Sequence, residues 1–315
     1  MYLSLFLTFY QDNYISVYQD SLLLLFEIPI HFSLQQRVQL PRRNNQMKLQ
    51  LVNLLLFPDT RKDFLLLLAE KPRNIDEILG LLQVSRISLL PHIKKLKEEN
   101  LIVQERGIYR LSAIGEIILK KMRPLMDAVS VFEENEYFWS QRRLYTIPAS
   151  LLNRIGDLKG YQLVEQGITH QFDIFPETVN YFAESSKVML LFSYFNPQIP
   201  SFSLELAKKG VELRLILSKD SFDLFSKDFR SEGEEILAQK NASIFVRVEE
   251  DLETPAVVAV SENKLFLGLS NNKGRFEGQY LLSSEVSALS WGKELFEYCI
   301  EGSRRITSMD LQGNS

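Results

Sequence analysis

Apolar positions between Asn74 and Tyr109 follow two different periods, and the switch between them organises the first half of the chain. In IDEILGLL, Ile75, Ile78, Leu79 and Leu82 recur at three- and four-residue steps, the spacing of one buried helix face. Asn74 precedes them as a cap, with Glu77 in the third position of a capping box. A second run, Val84, Leu89, Ile93 and Leu96, follows Ser85, whose hydroxyl suits it to accept from a first-turn amide. Arg86, Ser88, His92 and Lys95 are assigned to the other side of that helix, which is expected to stop at Glu99-Asn100 because asparagine tolerates the left-handed conformation. LIVQERGIYRL then reads as two short strands turning at Arg106-Gly107. Upstream, Phe64, Leu67 and Leu68 mark an earlier helix, capped by Asp59 or Thr60 and closed by Lys71-Pro72.

Three helices followed by a ribbon predict a winged helix-turn-helix over residues 47–111, in which the last helix enters the major groove of DNA. The candidate DNA contacts are Ser85, Arg86, Ser88, His92 and Lys95 on the helix, with Arg106 and Arg110 on the ribbon. Leu90 and Pro91 occupy positions where polar side chains would read bases better. Pro91 also lacks an N–H and crowds the carbonyl of Ile87, which implies a kink or a late start. Phosphate contacts and DNA shape are therefore expected to supply much of the binding. The alternative use of such a unit is as a protein-binding adaptor.

Past Ser112, residues 112–143 read as a linker helix bent at Pro124, with a stripe of Ile118, Met122, Leu125, Val129 and Phe132. The stripe is expected to pair with its twin in a homodimer, or else with the chain's own C-terminal half. From 144 to 304 strands alternate with helices: KVMLLFSYF, VELRLILS, ASIFVRV, AVVAV and KLFLGLS as strands, and a last helix in EVSALSWGKELFEYCIEGS. That order predicts an α/β domain with a mixed sheet, and a chain that is α+β and α/β in two domains. Residues 305–315 are expected to be a disordered tail. Residues 1–46 contain no apolar run of membrane-spanning length. They are expected to be an over-extended start, with Met47 as initiator, or a loosely held arm.

Charge sharpens this reading. The net charge is −4, yet residues 47–125 hold 14 basic and 9 acidic side chains. Residues 126–315 hold 19 basic and 28 acidic. A basic N-terminal part joined to an acidic remainder fits one DNA-docking face. Cys299 is the single cysteine and His31, His92 and His170 are the only histidines. No internal disulfide, metal site or cofactor is expected, and a reducing cytoplasm is the expected compartment.

LLQVSRISLLPHIKKLKEENLI followed by VQERGIYRLSAIGE resembles archaeal winged-helix regulators of the ArsR-like type. VELRLILSKD, VVAVSENKLFLGL and SWGKELFEYCIEGSRRI resemble the effector domain of such regulators, in particular the methanogenesis regulatory proteins of methane-producing archaea. The resemblance implies transcriptional control, homodimers and a small-molecule-sensing domain. The second half is also similar to half of a phospholipase-D-like fold, but its His-x-Lys motif is absent because no histidine follows His170. No catalytic residue is assigned, and a residual phosphodiesterase remains a distant alternative. Ligands of α/β sheets favour the carboxyl ends of strands, which selects Ser193, Tyr194, Asn196, Ser218 and Lys219. The polar loop of Asn271, Asn272, Lys273 and Arg275 joins them as a place for an anionic effector. The expected partners are double-stranded DNA, a second copy of the chain and a small molecule, with no membrane.

Overall fold

Local sequence signals account for most of the N-terminal elements of the computed structural model, which describes residues 55, 59–165, 182, 184–248 and 253–312. Residues 1–46, with His31, as well as Met47 and His170, lie outside the described residues. Helix α1 spans Asp59–Glu70. A two-residue strand β1, Arg73–Asn74, leads into α2, Ile75–Leu82. The capping box forms: the Asn74 side chain accepts from the Glu77 amide at 2.9 Å, and the Asn74 amide donates to the Glu77 carboxylate at 3.3 Å. Helix α3 spans Arg86–Glu98, and Ser85 caps it by accepting from the Ser88 amide at 3.1 Å. The helix continues through Pro91, so no late start occurs. Strands β2 (Ile102–Glu105) and β3 (Ile108–Leu111) follow. The turn between them places Arg106 at φ 51° and Gly107 at φ 82°, the two positive values a two-residue hairpin needs. The three strands form an antiparallel sheet in the order β1-β3-β2. Strand β1 is too short to leave a period in the sequence, and it was not expected.

Helix α4, Ala113–Glu134, leaves this module. Ser112 caps it, accepting from the Gly115 amide at 3.0 Å and donating to the Asn100 carbonyl. Gly115 lets the helix lie against the end of α3, for a Cβ there would stand 2.1 Å from the Leu101 carbonyl oxygen. The face that α4 buries changes along its length. Gly115, Leu119 and Met122 are buried before Pro124, and Val131 after it. The expected stripe is thereby divided. Met122 is buried in the chain itself and Phe132 packs edge-on against Trp139, whereas Leu125 and Val129 are 62% and 44% exposed.

The C-terminal half is built on an eight-stranded mixed sheet, here numbered β4 (Gln162–Glu165), β5 (Lys187–Phe192), β6 (Glu212–Leu217), β7 (Ala242–Arg247), β8 (Val257–Val260), β9 (Leu265–Gly268), β10 (Gln279–Ser283) and β11 (Ser303–Arg305). Its order is β11-β7-β6-β5-β8-β9-β10-β4. Strands β5, β6 and β7 are parallel and all other pairings are antiparallel. Two short helices, α5 (Glu136–Ser140) and α6 (Ala149–Leu152), lie between α4 and this sheet in the chain. Val188, Leu190 and Phe192 enter one core with helices α7 (Gln198–Lys208), α8 (Lys219–Asp228) and α9 (Arg230–Ala238). Met189 and Leu191 enter the other with α10 (Val286–Glu301). Burial on both sides explains why KVMLLF is apolar without alternation.

The second core also holds Val131, Phe138, Trp139 and Tyr161, so the end of α4 is anchored in the C-terminal half. The Tyr161 hydroxyl accepts from the Trp139 indole N–H at 2.8 Å and the Asn135 amide at 3.0 Å, and donates to the Val131 carbonyl at 3.2 Å. The described residues from 59 to 312 belong to one compact unit. One expectation fails outright. Residues 305–312 are not a disordered tail: Arg305 ends β11, the Ile306 amide donates to the Ile244 carbonyl at 2.9 Å, and Ile306 and Leu311 are buried. Two isolated apolar residues carry no period, so their burial was invisible in the sequence. Among the described residues, no helix is long and apolar enough to cross a membrane.

Candidate nucleic-acid interface

The buried face of α3 decides which of its side chains look outward. Leu89, Ile93 and Leu96 are buried. At about 100° per residue, the opposite side falls on Ile87, Pro91, Lys94 and Lys95, with Ser88 adjoining, and all five are exposed. The seven expected contact residues are therefore only partly gathered. Ser85 and Ser88 sit at the exposed first turn, and the Ser88 hydroxyl donates to the Ser85 carbonyl at 2.8 Å. Lys95 is exposed on the outward side. Arg86 and His92 instead lie on the two flanks of the helix.

Each flank residue has a neighbour that the sequence did not disclose. Arg86 pairs with Asp76 of α2 at 3.0 Å, tying the two helices of the turn together. His92 is half-buried, and burial, reinforced by the charge of Arg61 on α1, lowers its pKa. It is held toward the neutral form, so it offers no fixed positive charge. Burial also lowers the pKa of Arg61, whose Nε and Nη1 are buried without a hydrogen-bond partner.

The hairpin adds two cations. Arg106 is exposed at its tip. Arg110 is exposed but paired with Glu105 at 2.7 Å. Lys97 reaches from the last turn of α3 to the Gln104 side chain at 3.0 Å, which fixes the strand relative to the helix. Ile87 was not among the expected contacts, although a strict helical projection from Leu89, Ile93 and Leu96 finds it.

The expected effector residues are drawn together, but they bond chiefly to protein. The Ser193 hydroxyl meets Thr254 at 2.6 Å and the Pro255 carbonyl at 2.7 Å. Tyr194 stacks on Phe276 with ring centroids 5.1 Å apart, and burial raises its pKa. The Asn196 side chain accepts from the Gln198 amide at the start of α7. Ser218 donates to the Ser193 carbonyl at 3.2 Å. Lys219 is exposed as the first residue of α8. The polar loop is a clasp on the end of the linker. The Asn271 side chain accepts from the Lys273 and Arg275 amides and donates to Glu277. The Asn272 amide donates to the Gln141 carbonyl at 3.0 Å. Buried Arg142 binds Glu277 at 2.9 Å and also Gln279. The Asn271 hydrogen bond, with help from Arg142, lowers the pKa of Glu277. The side chains of Asn272 and Arg275 remain exposed.

Two models of one family match consecutive parts of the chain. The N-terminal domain of methanogenesis regulatory protein FilR1 matches residues 50–130, and the middle domain of the same protein matches residues 171–302. The chain belongs to the methanogenesis regulatory protein family. The FilR1 N-terminal match contains α3, the hairpin and most of α4, and the middle-domain match contains all nine expected effector residues. A relative, methanogenesis regulatory protein FilR1 of Methanothrix harundinacea (strain 6Ac), is 25% identical over 261 residues, covering 80% of this chain and 57% of its own length. The chain thus spans little more than half of that FilR1 protein. Among solved structures, the archaeal chromatin protein TrmBL2, described as showing a novel mode of DNA binding, aligns with a TM-score of 0.36 and 14% identity over 82% of this chain and 99% of its own. Nuc from Salmonella typhimurium, a phospholipase D family member, aligns with a TM-score of 0.35 and 11% identity over 47% of this chain and 99% of its own.

Proposed function

We propose that this chain is a transcriptional regulator that binds double-stranded DNA through residues 59–111 as a winged helix-turn-helix. The observation that carries the reading is the outward side of α3. Ser88, Lys94 and Lys95 are exposed there, opposite the buried face, and a hairpin with Arg106 at its tip follows directly. Helix N-terminal residues and backbone-directed cations are what a groove-reading helix presents. Membership of a regulatory family supports the same reading. The chain acts as a homodimer, because two such helices set one DNA turn apart read a two-fold site. The support is the exposed apolar side of α4, where Ile117 is 65% exposed beside Ile114, Leu125 and Val129.

Sensing of a small molecule belongs where the module, α4 and the C-terminal half meet, away from the expected effector residues. A cleft of about 520 Å³ supports it. The cleft is walled by Leu68 of α1, Leu111 of β3, Arg123 and Pro124 of α4, and Asn153, Arg154, Gly156 and Asp157 beyond the linker. A ligand seated there touches the DNA-facing module and the C-terminal half together, and it acts only if it binds two arrangements with unequal affinity.

The test is a gel shift over a salt series. Wild-type binding weakens steeply with salt. Lys95→Glu with Arg106→Glu weakens binding on every sequence and flattens the salt slope by about one for each phosphate left without its cation. Binding that ignores both salt and these substitutions ends the proposal. The exposed Ile87 favours a second reading, a protein-binding adaptor, and the same gel shift removes it if DNA is retained.

A further inference from the structure

Ile87 is 85% exposed in the first turn of α3, and Pro91 is exposed one turn later on the same outward side. They form an apolar ridge on the side of the helix that also bears Ser88, Lys94 and Lys95. Nothing in the packing requires them there. The core side of α3 is complete with Leu89, Ile93 and Leu96, and the fold would keep its caps and its core with polar residues at both positions.

We infer that Ile87 and Pro91 read the 5-methyl groups of thymines in the major groove, making this a regulator with a built-in preference for T·A pairs. The inference rests on the DNA-binding reading above and names what that face recognises. Thymine is the base whose major-groove edge carries a methyl group, and an apolar side chain is its matching contact. Placement in the helix agrees, since base edges are met by the first turns of a recognition helix. The spacing agrees as well. Residues four apart advance about 6 Å along the helix axis, close to two base steps of about 3.4 Å each.

Charge decides between DNA and an apolar protein surface as the occupant. Lys95 on the same side and Arg106 on the hairpin have no ion pair among the described residues, and Lys94 meets Glu98 only at 3.9 Å. A ridge bordered by cations in this way fits an anionic groove floored with methyl groups. Only Glu98 opposes it from the outward side of α3. Asp76 and Glu105 nearby are already taken by Arg86 and Arg110.

The experiment begins with DNA selected by the full chain from a random pool. Each thymine of the selected site is then replaced by deoxyuridine, which removes the methyl and leaves charge and hydrogen bonding unchanged. Wild-type protein is expected to lose about fourfold in affinity at each contacted position, the worth of one buried methyl-sized group. Ile87→Ala, with its fold checked by circular dichroism and thermal melting, should lose the thymine–uracil difference at the position Ile87 meets, keep it at the position Pro91 meets, and keep the wild-type salt slope. Wild-type binding that is salt-dependent but indifferent to uracil overturns the inference and leaves DNA binding standing. Equal losses by Ile87→Ala on both sites make Ile87 structural and also overturn it. Salt-dependent binding to no DNA at all removes the DNA reading itself. Loss of a protein partner on Ile87→Ala, in that last case, assigns the ridge to a protein.

Discussion

At the scale of single residues, the surroundings of a side chain decide its chemistry more than its type does. His92 and Lys95 were equal candidates in the sequence. Lys95 is exposed, whereas burial and then Arg61 hold the imidazole of His92 toward neutrality. The folded protein therefore takes up that proton less readily than the unfolded chain. Its stability is complete above the ordinary histidine range, near about 6.5, and declines as the pH falls through it toward the lower folded value. Urea midpoints followed from about pH 7.5 to 5.5 should fall further for the wild type than for His92→Gln. Parallel curves would show that His92 contributes nothing. Cys299 is governed by the same environment rule: burial raises its thiol pKa to about 11, which leaves it protonated and unreactive at neutral pH.

At the scale of elements, caps and turns were legible because they are made by neighbours in sequence. Asn74 with Glu77, Ser85 with Ser88, and Arg106 with Gly107 behave as their spacing implies. Close approaches between elements were not legible. Gly80 and Gly115 look alike in the sequence, each a glycine in a helical pattern. A Cβ at Gly80 meets nothing within 4 Å, while one at Gly115 collides with the Leu101 carbonyl. Gly80→Ala should stabilise the protein by about 0.5–1 kcal/mol through helix propensity. Gly115→Ala should cost about 1–3 kcal/mol, the usual range for overpacking. Both are read from urea unfolding, and a Gly115→Ala protein as stable as the wild type would mean that α4 can shift away from α3. The expected effector residues show the same limit. Their places at strand ends and in the polar loop were readable, but the hydrogen bonds they make come from segments as much as 129 residues away, as between Arg143 and the Asn272 carbonyl.

At the scale of the whole molecule, α4 joins the module at residues 59–111 to the eight-stranded sheet. It is held by Gly115 at one end and by the Tyr161 hydrogen bonds at the other. A further close approach lies between them: a Cβ on Gly156 would stand 2.9 Å from the Asp127 Cβ, and Lys159 pairs with Asp127 at 2.9 Å. The exposed residues of α4 are thus presented on a braced helix, as a dimer face requires. Leu125→Glu with Val129→Glu is expected to convert dimer to monomer in sedimentation velocity, with little change in thermal midpoint because both side chains are already in water in the single chain. A dimer that survives both substitutions would move the interface elsewhere.

The sequence by itself determined most of the helices and longer strands, their caps and the asymmetry of charge, since each depends on residues within a few positions of one another or on composition. Tertiary structure alone decided which cations stay free, which part of the α4 stripe stays exposed, and that residues 305–312 join the sheet and its core. Those outcomes depend on what lies across a contact. A helical period records that a side is buried, but it does not record what buries it.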